Sequence, residues 1–207
     1  MAKVVIPTHR KIIVLAGAAG IDMVPFRNRA LSHVRDLEPL IPHTTRLRKV
    51  GEIGSFYLSF ISDETFLEKI HKGEFIEHSP FVKNGDLYGI THEDLRRVII
   101  DNDRHALAVV DINRALQIKD QYPENTHIIF FGPPTIEILA KQLAFAKDLS
   151  DGDIEKILID ARADIATAAH ALGSQLVDSM MVINNKDVTI SLIDSIIKYY
   201  LGALKPA

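Results

Sequence analysis

The chain has 207 residues, 47% of them hydrophobic and 25% charged, enough for one domain with a sizeable core. A net charge of −3, from 24 basic and 27 acidic residues, excludes a nucleic-acid binder that works through a general basic field. The lack of cysteine excludes disulfides, thiolate metal sites and a cysteine nucleophile. No signal peptide is legible, and no apolar run approaches the ~18 residues of a membrane helix. The expectation is a soluble cytoplasmic protein with no membrane span and no nucleic-acid partner.

The first apolar run, Ile12 to Leu15, reads as a buried strand. It leads through LAGAAGIDMVPF (15–26) into a helical pattern, the place of a phosphate-binding loop in an α/β protein. The loop recipe is G-x-x-x-x-G-K-[ST]. Counted from Gly17, with Gly20 the next glycine, its last three places hold Asp22, Met23 and Val24. From about 42 to 93 the chain changes character. It has short β-like pieces (55–61 and 75–79) and a helix opening at Ser62 and closing at Gly73, which together read as an inserted subdomain.

Two further buried strands are expected at Ala106 to Ile112 and His127 to Phe131, each followed by a turn and a helix. Pro133-Pro134 ends the latter, and Thr135 is set to cap the next helix. Residues 142 to 170 are helical and rich in charge. A last strand, Ser179 to Ile183, passes through Asn184-Asn185 into a helix. Val188, Leu192, Ile193, Ile196, Ile197, Tyr200 and Leu201 give that helix one expected core stripe. Arg96 and Arg97 read as an exposed helix face. The nine histidines show no metal-ligand spacing, so no metal site is expected.

PHTTRLRKVGE (42–52), FLEKIHKGEFIEH (66–78), LYGIT (87–91), VVDIN (109–113) and IIFFGPPTIEILAKQL (128–143) resemble guanylate kinases in order and spacing, from about Lys11 to Leu204. The resemblance implies an α/β fold with a P-loop-type parallel sheet and flanking helices. It divides the chain into a core (about 8–41, 94–141 and 171–205), a nucleoside-monophosphate-binding insert (about 42–93) and a helical lid (about 142–170).

Family members transfer a phosphoryl group from ATP to GMP, using a loop lysine, a magnesium-binding serine or threonine, and lid arginines. Here Met23 takes the lysine place and Val24 the metal-ligand place. Asp22 brings a carboxylate, which repels a nearby polyphosphate by roughly a few kcal/mol at an effective dielectric near 20. Gln142, Ala146 and Ile157 stand where lid arginines are usual, leaving Arg162 as the one arginine of residues 141–165. No catalytic residue and no ATP or magnesium cofactor is therefore expected.

The acceptor half is better kept. By resemblance Arg46, Lys49 and Tyr88 bind the GMP phosphate, Thr45 lies beside them, and Tyr57 falls one residue from the first phosphate-tyrosine place, which Leu58 holds. Glu77 matches the guanine-binding glutamate, and Asp111 the second of two aspartates near the base. Pro42, Ile90 and Val109 replace residues that read guanine.

This pattern is similar to the inactive guanylate-kinase-like domains of membrane-associated scaffold proteins, which bind phosphorylated partners. The expectation is an inactive binding or regulatory module that uses the former GMP pocket for a phosphorylated or acidic protein segment, or for another protein. One alternative is a sensor with GMP or a related purine nucleotide as ligand. Another is a divergent kinase in which Arg27 or Arg29 reaches the ATP phosphates.

Overall fold

The computed structural model describes residues 3–49, 57–81, 85–146 and 148–202. A five-stranded parallel sheet lies at its centre, in the order β2-β7-β1-β8-β9. Its strands are β1 (Ile12–Gly17), β2 (Leu37–Pro39), β7 (His105–Val110), β8 (Thr126–Gly132) and β9 (Ser179–Val182). Successive side chains of β1 feed opposite faces, as the period of two requires. Ile12, Val14 and Ala16 join one buried cluster, and Ile13 and Leu15 the other. With helices on both faces, the strands read as continuous apolar runs.

Helix α1 (Val24–His33) and helix α7 (Lys186–Tyr200) cover the face of Ile13 and Leu15. The expected stripe on α7 needs correction. Ile193 and Ile197 are fully buried and Thr189 is nearly so, whereas Val188 and Leu192 are 56% and 48% exposed. The buried face is thus rotated toward Thr189, Ile190, Ile193 and Ile197. Tyr200 fixes the end of the helix, stacking on His127 at 4.8 Å and donating its hydroxyl to the Asp178 carbonyl at 3.0 Å.

The other face carries α4 (Ile112–Gln121), α5 (Ile136–Leu143) and the 23-residue α6 (Asp151–Gly173). Thr135 caps α5 as the sequence implies, and Ser150 opens α6 with a capping box to Asp153. α6 continues through the expected lid boundary at 170, with Ala161, Ala168 and Ala171 buried in the core. Among the described residues no helix is long and apolar enough to cross a membrane.

The insert is a second sheet in the order β4-β3-β6-β5. It comprises β3 (His43–Thr44), β4 (Ser59–Phe60), β5 (Phe75–Phe81) and β6 (Asp86–Thr91), with α2 (Asp63–His71) between β4 and β5. Ser62 accepts the Thr65 amide at 3.2 Å to start α2, and Gly73 ends it with φ +61°. Of the expected β-like piece 55–61 only β4 is a strand, and 55 and 56 lie outside the described residues.

β6 runs into α3 (His92–Arg96), the helix expected around Arg96 and Arg97, and then into an unanticipated π-helical turn, Arg97–Asp101. Arg96 is exposed as expected. Arg97 is instead partly buried, paired to Asp94 at 3.0 Å and to Glu38. The Ile41 amide also donates to Asp94, at 2.5 Å. The points where the chain leaves and re-enters the core are thereby tied together.

The corrected face of α7 gives a direct test. Ile197→Ala should lower stability by about 2–5 kcal/mol, and Leu192→Ala by less than about 1 kcal/mol, both read from urea unfolding.

Candidate functional site

In an open parallel sheet, ligands bind outside the carboxyl ends of the strands where the strand order reverses. That point lies at the end of β1, between β7 and β8, where the stretch Gly17 to Met23 begins. Here the structure fills the loop with the chain's own atoms. A β-carbon on Gly17 would meet Met23 Sδ at 2.6 Å and Cγ at 2.9 Å, so the thioether lies directly on the glycine. Gly20, at φ +85°, would place one 2.9 Å from Ile157 Cγ2 of α6 and 3.4 Å from Leu139 Cδ1 of α5.

The polar groups of the loop are met from within as well. The Ala19 amide donates to Asp164 Oδ2 of α6 at 2.9 Å. The Val24 amide, in the first turn of α1, donates to Asp22 Oδ1 at 3.1 Å, and Asp22 faces Lys186 across 3.5 Å. A helix N-terminus and a loop of free amides attract anions; both carboxylates answer that attraction in cis. Beside the loop a cavity of about 240 Å³ stays open, lined by Gly20, Asp22, Phe26, Gln142, Asn184 and Lys186 among others.

Arg27 and Arg29 are engaged elsewhere. The Arg27 guanidinium lies 4.0 Å from the centre of the Tyr57 ring, which joins α1 to the insert. Arg29 pairs with Asp194 of α7 at 3.3 Å.

On the insert side Thr45 is a structural clasp: its amide donates to the Leu87 carbonyl at 3.1 Å, and its hydroxyl accepts the Leu87 amide at 3.0 Å. Tyr88 sits directly across from Thr44 in the β3–β6 ladder, and the Arg46 amide donates to the Thr44 hydroxyl at 3.2 Å. Arg46 and Arg48 both lie on the Phe60 ring, at 5.4 and 4.6 Å, and Lys49 is exposed beyond them. Arg46, Thr45 and Tyr88 thus share one end of this sheet, with Tyr57 and Arg27 along its border with the core.

Glu77 is in a different setting. Its side chain is fully buried, and both its oxygens are held by Arg114 of α4: Nη2 donates to Oε1 at 2.7 Å, and Nε donates to Oε2. Burial pushes the Glu77 carboxyl up from its ordinary value, against the pull of Arg114. Arg114 feels Asp111 and Tyr88 besides Glu77. The strand expected over Ala106 to Ile112 stops at Val110, which leaves Asp111 outside it. Asp111 is the N-cap of α4 and accepts the Arg114 amide at 3.0 Å.

This arrangement can be set beside known proteins. The guanylate kinase family model matches residues 9–199. The chain belongs to the guanylate kinase family. It is 27% identical over 192 residues to the guanylate kinase of Chlorobium chlorochromatii (strain CaD3), covering 93% of this chain and 96% of that one. It is 28% identical over 189 residues to that of Prochlorococcus marinus subsp. pastoris, covering 91% and 97%. The crystal structure of guanylate kinase from Anaplasma phagocytophilum superposes with a TM-score of 0.69 at 22% identity, over 94% of this chain and 87% of the other. That likeness supports the parallel-sheet fold.

Two residues that sequence reading does not single out are Arg114, which meets Glu77, and Asp164, which meets Ala19. Arg114 lies one turn from Asp111, and Asp164 is one of several acids on a charged helix; neither carries a local signal. Among the described residues no group of three or more histidines and acids is set to hold a metal ion.

The buried pair gives a second test. Removing one partner of such a pair costs about 3–5 kcal/mol, whereas an apolar replacement of both is near neutral. Arg114→Ala should therefore destabilise by about that amount in urea. The double variant Glu77→Leu, Arg114→Met should recover most of the loss.

Proposed function

We propose that this guanylate kinase family member binds through the former acceptor pocket and does not transfer phosphate. The observation that carries this reading is the loop. Met23 packs on Gly17 and Asp164 takes the Ala19 amide, so the space above Gly17 and one of the loop's donors are filled from within. Magnesium ATP does not fit these residues: two carboxylates, Asp22 and Asp164, stand where positive charge is required, and Val24 offers no metal ligand. Phosphoryl transfer depends almost wholly on positioning and charge neutralisation, and one arginine finger alone is worth 10³–10⁵ in rate.

The ligand we favour is a phosphorylated or acidic segment of a protein partner, bound in the cytoplasm. Arg46, whose Nη1 donates to the Leu47 carbonyl at 2.9 Å, carries the planar guanidinium that suits a phosphate monoester, and Lys49 a point charge. Tyr88 and Thr45 frame the same end of the insert sheet. Guanine reading is disfavoured because Arg114 already engages both Glu77 oxygens.

A second reading, a purine-nucleotide sensor, draws on the open cavity beside the loop, where Ile21 and Ile183 offer an apolar edge and Gln142 and Asn184 their amides. Calorimetric titration with GMP and with ATP separates the two readings; micromolar binding of either nucleotide favours the sensor.

A coupled assay with ATP and GMP should detect no turnover, and Met23→Lys alone should not create any. Turnover within tenfold of an ordinary guanylate kinase would sink the proposal. Arg46→Ala should weaken binding of a phosphoserine peptide by about 1.5–3 kcal/mol, or roughly 10- to 150-fold, measured by the same titration.

A further inference from the structure

α6 touches the loop at two points on one face. Ile157 and Asp164 lie two turns apart, so their side chains point the same way, with the fully buried Ala161 between them. Ile157 covers Gly20, and Asp164 accepts the Ala19 amide at 2.9 Å. Ile21 and Leu158 thicken the contact within the same apolar cluster. The charged groups that act on Asp164 are Asp111 at the head of α4 and Asp160 one turn back on α6. The carboxylate is therefore partly buried among like charges and held by a single backbone donor.

We propose that this contact is an autoinhibitory clasp. Asp164 occupies the Ala19 amide, a donor that an incoming anion would otherwise find, and α6 must part from Ala19 and Gly20 before that donor is released. The inference does not rest on the loss of phosphoryl transfer, because a clasped loop would regulate an active enzyme equally well.

The clasp also has a direction with pH. Burial first, then Asp111 and Asp160, push the Asp164 carboxyl above its ordinary value, and only the Ala19 amide opposes them. The closed form therefore binds the proton more tightly than an opened form does. Closure is strongest below the ordinary carboxylate range and weakens as pH rises through the raised value.

The test is hydrogen exchange on the full chain, read as protection factors at about pH 5 and about pH 8, for wild type, Asp164→Asn and Asp164→Ala. Asp164→Ala should lower protection of residues 18–21 and of the first three turns of α6 by about tenfold or more, the scale of one charge-assisted hydrogen bond. The central strands should stay unchanged. Wild-type protection there should fall between the lower and the higher pH. Asp164→Asn, isosteric and always neutral, should keep the protection and lose its pH dependence.

Any of three results overturns the proposal. One is unchanged loop protection in Asp164→Ala; another is a loss spread evenly over the central sheet; the third is an Asp164→Asn profile that tracks wild type with pH. Phosphoryl-transfer activity does not enter the readout, so this test and the test of the proposed function fail independently.

Discussion

Backbone amides that emerge from the end of a central parallel strand must find acceptors, because leaving a buried donor unmade costs about 1–3 kcal/mol. At the end of β1 that requirement falls on the stretch after Gly17. A loop built for ligands leaves its donors to be met by phosphate oxygens. This chain meets them itself, with Asp164 at Ala19 and Asp22 at Val24. Once the acceptors are internal, other features follow. α6 has to lie close enough to bring Asp164 to the loop, Ile157 has to cover Gly20, and Met23 is free to fill the space above Gly17.

The insert repeats the same logic on the acceptor side. Glu77 is buried, and a buried carboxylate without a partner is costly; Arg114 meets it from α4 with a bidentate grip. That grip couples the insert to the core, as the Asp94, Arg97 and Glu38 group does where the chain leaves and returns. Arg27 on Tyr57 adds a third tie, from α1. Arg46, Arg48 and Lys49 follow β3 in the chain, and the two arginines lie on the Phe60 ring of β4.

Much of this was legible in the sequence. The apolar runs around Ile13, Leu107 and Ile129 could only be buried strands, and Ser62, Thr135 and Gly73 mark helix ends by local chemistry. The loop's missing lysine and hydroxyl could be read by counting from Gly17. What escaped was set by distant partners. Thr189 rather than Val188 faces the core because of how α7 leans on α1 and the sheet, and a period of 3.6 cannot say which edge of a broad apolar arc is covered. β2 is three residues long with a proline, and the π-helical turn at Arg97–Asp101 has no sequence signature. Arg114 and Asp164 look like ordinary surface charges until tertiary structure brings them to Glu77 and Ala19, 37 and 145 positions away.

The strand order also bears on how the chain is made. β1 leaves the ribosome early, yet Ile12 finds its two neighbours only at Ala106 and Thr126, after the whole insert has been synthesised. Until then the most apolar strand of the protein has no edge to pair with and no helix to cover both its faces. Pairings this distant in sequence delay folding and leave the nascent chain open to association. The insert's hairpin and α2 are built from nearer contacts and can form first. The amino-terminal strand around which the domain is arranged is among the last to be enclosed.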